Sequence, residues 1–112
     1  MRIKITLLAV TGLLVMAGTA DAFQWRMTYG QAKSESRAYA QETCREIPEC
    51  TGWGVGACLR RSLSRFDCTI GIFARGVEPG EEIECDQVLH WGVNRAGVIV
   101  LKNFGRPACH PV

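Results

Sequence analysis

The sequence predicts an α+β fold: one N-terminal helix packed on a four-stranded antiparallel meander, stapled by disulfides. Three observations lead there. Apolar and small residues recur at helical spacing between Thr28 and Ile47, the pattern then changes to period two from Trp53 onwards, and the chain of 112 residues carries six cysteines.

The first segment reads as an export signal. Arg2 and Lys4 precede an apolar run from Ile5 to about Ala17, and Ala20 and Ala22 supply the small pair of an A-x-A cleavage site. The run is shorter than the ~20 apolar residues a spanning helix needs. Residues 1–22 are therefore expected to be a cleaved secretory signal peptide, with 23–112 a single small disulfide-rich domain. The expected location is secreted or periplasmic. All six cysteines (Cys44, Cys50, Cys58, Cys68, Cys85 and Cys109) lie in the mature part, where an even number reads as a disulfide framework. A structural zinc site is the rival reading, but no C-x-x-C knuckle is present. No metal and no cofactor is expected.

A lead-in containing Trp25 precedes the helix. Thr28 and Gln31 have the spacing of a capping box, and Ala32, Ser36, Ala40, Thr43 or Cys44, and Ile47 form one small-residue face. Pro48 ends the helix, because the residue before a proline avoids the helical region. Four strands follow at about 53–61, 65–75, 82–91 and 97–104, separated by turn residues at Ser62-Leu63-Ser64, Val77-Glu78-Pro79-Gly80 and Asn94-Arg95-Ala96-Gly97.

A first turn centred on Leu63 sets Cys58 opposite Cys68, and a second centred between Gly76 and Val77 sets Cys68 opposite Cys85. Three cysteines then share a row on the face under the helix, with Gly52, Gly54 and Gly56 beside them. At least one bridge is expected to run from Cys44 or Cys50 to that row. The glycines are expected to admit a close neighbour. A phosphate loop would need a helix to follow them, and the sequence shows a strand.

The same parity gathers Trp53, Val55, Leu59, Thr69, Phe73, Val88 and His90 on the outer face, with Val100 and Phe104 if the last turn centres on Arg95. Glu82, Glu84, Asp86 and Lys102 rim it. An apolar patch with charged edges on a face that should be polar marks a binding surface. Covering by the lead-in or the tail, or burial in a homodimer, is the competing account. Arg60, Arg61 and Arg65 surround the first hairpin tip and offer a second grip, for an anion or an acidic partner.

The formal net charge of +2 has no basic stripe behind it, so nucleic acid is not an expected partner. No polybasic or lipidation signal points to a membrane once the leader is removed. No catalytic set is assigned. His90 and His110, with Lys102 between them, resemble in composition the acid, base and phosphate-stabilising set of small secreted ribonucleases, but no flanking motif supports it. The layout is similar to helix-on-sheet inhibitor domains, an architectural likeness that carries no function by itself. The loop motifs of cystatins and of bacterial lysozyme inhibitors are not visible. The leading expectation is a small exported binding or inhibitor-like module with a protein partner. A ribonuclease-like hydrolase and a structural envelope component are the alternatives.

Overall fold

The computed structural model describes residues 26–112, so the expected signal peptide and Trp25 lie outside the described residues. Helix α1 (Tyr29–Glu46) precedes five antiparallel strands: β1 (Cys50–Ser62), β2 (Arg65–Arg75), β3 (Glu82–Val93), β4 (Ile99–Phe104) and β5 (Ala108–Pro111). The sheet order is β1-β2-β3-β4, and β5 also pairs with β3. This is the helix on a four-stranded meander, with a short fifth strand added. Strand β3 is long enough to pair with β4 over Leu89–Val93 and with β5 over Ile83–Asp86. The break between them is spanned by Gly105, whose N–H donates to the Val88 carbonyl at 2.8 Å and whose carbonyl accepts from Gln87 Nε2 at 2.9 Å.

The helix starts at the expected box. Thr28 Oγ1 accepts from the Gln31 N–H, and Gln31 Oε1 accepts from the Thr28 N–H. Ala32, Ser36, Tyr39 and Ala40 form its buried face, and Ile47 caps the end just before Pro48. Small side chains let the helix settle on β1 and β2, over a core of Phe66, Cys68, Ile70 and Ile72 completed by Leu89 and Trp91 of β3. Ser36 is the buried polar exception. Its hydroxyl accepts from Trp91 Nε1 at 2.8 Å, which lets a large indole lie inside with its N–H paired.

The disulfides are Cys44–Cys50, Cys58–Cys68 and Cys85–Cys109. Cys58 does lie opposite Cys68. The bridge expected from Cys44 or Cys50 to that row is not made. The two bond to each other and tie the helix exit to the first residue of β1. Cys85 does not face Cys68 either: Cys68 pairs with Leu89 and Cys85 with Ile72. The second turn sits further along than the sequence arithmetic placed it. Pro79 leads into Gly80 at φ +80°, and the Gly76 N–H donates to the Glu81 carbonyl. The shift is four residues, an even number, so Ile83, Cys85, Gln87, Leu89 and Trp91 still share the face under the helix.

Strand β1 brings the larger correction. Its pairing with β2 slips between Val55 and Cys58, so Val55 meets Ile70 and Trp53 meets Ile72. An extra residue in one strand reverses which face its side chains take. Trp53 and Val55 therefore pack against the core, on the face opposite to the one expected. Gly52 and Gly54 go to the open face, where an added Cβ would meet nothing within 4 Å. They admit no helix. A further slip between His90 and Trp91 places Phe104 opposite Leu89, while Val100 stays opposite Gly92 on the outer face.

Candidate functional site

The open face is organised in rows by the strand pairing. Gly52, Phe73, Glu84 and His110 form one row, and Gly54, Gly71, Asp86 and Ala108 form the next. Leu59, Asp67, His90 and Asn103 form a row nearer the first hairpin tip. Between these rows the surface sinks into a shallow groove of about 490 Å³, lined by Gly54, Gly56, Gly71, Phe73, Glu84 and Asp86 among others. Its floor is low because three lining residues lack a side chain. The same face exposes Leu59, opposite Asp67, at 56% and Val88, opposite Thr69, at 37%.

One wall is acidic. A Cβ on Gly71 would lie 3.3 Å from Asp86 Oδ1 and 3.7 Å from Glu84 Oε2, so both carboxylates lean across the bare backbone of β2. Glu84 and Asp86 are alternate residues of one strand, and β5 sets His110 directly across from Glu84. His110 Nε2 lies 3.4 Å from Asp86 Oδ2, and one ligand atom from each of the three side chains falls within 4.8 Å of the others. Hydrogen bonding with Asp86, then burial and the repulsion of its charge, pushes the Glu84 carboxyl above its ordinary range. The Pro111 carbonyl, followed by Asp86, raises the His110 imidazolium. Sequence reasoning missed this cluster because no motif spacing joins Glu84 and Asp86 to a histidine far along the chain. The paired cysteines next to each were the available signal.

The other acidic group is neutralised. Asp67, whose side chain is 16% exposed, accepts from Arg61 Nε at 2.6 Å and meets His90 Nδ1 at 2.7 Å. Burial pushes its carboxyl up, but the hydrogen bonds and charges of Arg61 and His90 outweigh this and hold it below the ordinary range. His90 and His110 do not converge. Glu84, opposite His110, and His90 are six residues apart on β3, about 20 Å at the usual strand rise, so the two rings do not reach one phosphate. Among the described residues no hydroxyl or thiol is hydrogen-bonded to His90.

The arginine tip divides in the same way. Arg60 donates to the carbonyls of Ser62, Leu63 and Met27, and its guanidinium lies 4.5 Å from the Phe66 ring centroid. It clasps the lead-in to the hairpin instead of presenting a free charge. Arg61 is taken by Asp67, and Arg65 stands exposed at the start of β2. Of the residues expected on the outer face, Leu59, Thr69, Phe73, Val88 and His90 lie on the open face. Trp53 belongs to the core side and Arg60 to the hairpin clasp. Comparison with protein-family models, with curated proteins and with solved structures finds no match for the chain.

Proposed function

We propose that the chain is a small exported binding module that captures a partner protein on the open face of its sheet. The partner inserts a protruding apolar side chain into the glycine-floored groove beside Phe73. One observation carries this reading: the sheet face that the helix leaves free contains a groove with three glycines in its lining, and the same face exposes Leu59 and Val88. A solvated sheet face needs neither feature. Export fits the three disulfides and the lack of free cysteines, and no described helix is long and apolar enough to cross a membrane.

The geometry supplies a clean test. Gly54 has open space where a side chain would go, so Gly54→Phe fills the groove without forcing the backbone. Affinity capture from envelope and extracellular fractions, with the natural chain, Gly54→Phe and Leu59→Asp as parallel baits, is expected to show one protein held by the natural chain and lost by both variants. All three baits should keep the same melting temperature. Identical capture by the three baits would overturn the reading. Loss of a natural-chain dimer in sedimentation, with no other protein lost, would assign the face to self-association instead.

A further inference from the structure

We infer that Glu84, Asp86 and His110 bind a divalent transition-metal ion of the zinc class at the acidic end of the groove. The inference stands apart from partner capture, because its ligands all come from the acidic wall of the groove and the facing strand.

The donor set is the first argument. One imidazole and two carboxylates suit borderline ions such as Zn²⁺, and among common divalent ions such a site favours the later members of the first row. Spacing is the second. Ligand atoms about 2.0–2.2 Å from one zinc stand roughly 3.3 Å apart in tetrahedral geometry. His110 Nε2 and Asp86 Oδ2 are already 3.4 Å apart. Glu84 needs only a small side-chain adjustment, since the three ligand atoms lie within 4.8 Å of one another.

Rigidity is the third argument. The ligands stand on paired strands, and the Cys85–Cys109 bond joins the residue between the two carboxylates to the residue before His110. The staple lies on the opposite face and fixes the register that brings the imidazole to the acids. Charge is the fourth. Asp67 has Arg61 as its counter-ion, whereas among the described residues no lysine or arginine pairs with Glu84 or Asp86. Gly71 adds the room: with no side chain there, both carboxylates lean over β2 beside the groove, which leaves the remaining coordination positions facing open space.

The test is a titration of the disulfide-intact protein with Zn²⁺, followed by calorimetry and by amide and imidazole NMR. One equivalent is expected to bind, shifting the His110 ring and the amides of 84–86 and 108–110. His110→Ala and Glu84→Gln should each weaken binding roughly tenfold or more. His90→Ala should leave it unchanged, although His90 also sits beside an aspartate. Gly54→Phe should also retain zinc, so a failed groove and a failed metal site give different results. No heat and no shifts with millimolar Zn²⁺ would overturn the assignment. Binding that survives His110→Ala, or that is lost with His90→Ala, would overturn it equally.

Discussion

Glu35 shows how a single side chain sets a pH dependence. It lies half-buried on α1, and its Oε1 is enclosed with no hydrogen-bond partner among the described residues. Burial raises its carboxyl above the ordinary 4.5. A carboxyl raised by folding favours the native state below its unfolded value, and that advantage is lost as the pH rises through the folded value. Glu35→Gln keeps the shape and removes the charge. The variant should therefore melt higher than the natural chain at pH 7, with the difference closing below about pH 4; thermal melts at both pH values check this, and a variant that melts lower at pH 7 would contradict it. Much at this scale was legible in the sequence, because the residues that make a cap or a helix face are neighbours along the chain. Thr28 with Gln31, and Ala32 with Ser36 and Ala40, are such cases. The partner of Ser36 is Trp91, 55 residues away, and the partner of His110 is 24 residues away. Neither pairing leaves a local pattern to read.

Among the elements, the strands were legible as strands, and their faces only in part. β2 and β3 alternate without interruption, so Phe66 to Ile72 and Ile83 to Trp91 fell on the expected side even though the turn was misplaced. β1 slips, and one extra residue sent Trp53 and Val55 inward and the glycines outward. A signal was present: Trp53 and Val55 are the large apolar residues of that stretch, and they stand an odd number of residues from buried Cys58. Among the described residues the strand is also an edge of the sheet, and its three irregularities break the flat backbone row that would invite another chain. β5 was not expected at all, because four exposed residues ending at a proline carry no strand pattern. Its attachment rests on pairing with β3 and on one covalent bond. Replacing Cys85 and Cys109 together by alanine opens a loop with a sequence separation of 24 residues, which should lower stability by about 3.5 kcal/mol in urea. Amide exchange in β5 should rise towards that of free chain while α1 keeps its protection. Unchanged exchange at Cys109 and His110 would mean that the ladder holds the strand without the bond.

For the whole molecule, the helix covers one face of the sheet and leaves the other open, so the chain builds a core on one side only. The buried apolar set runs from Met27 through Tyr39 and Phe66 to Trp91, with the Cys58–Cys68 cystine inside it. Small domains with a limited core depend on covalent staples. In the loop-closure account the three bonds contribute from about 2 to about 3.5 kcal/mol as their loops lengthen, against a total stability of about 5–15 kcal/mol for an ordinary domain. Reduction without denaturant should therefore remove most of the folding free energy at once. The near-ultraviolet circular dichroism of the buried aromatics should collapse, and the fold should return only under oxidising conditions. That behaviour would tie the native fold to an oxidising environment. A native near-ultraviolet spectrum after complete reduction would show instead that the one-sided core is sufficient, and the argument for an oxidising compartment would then rest on the leader-like N-terminal sequence and the cysteine count.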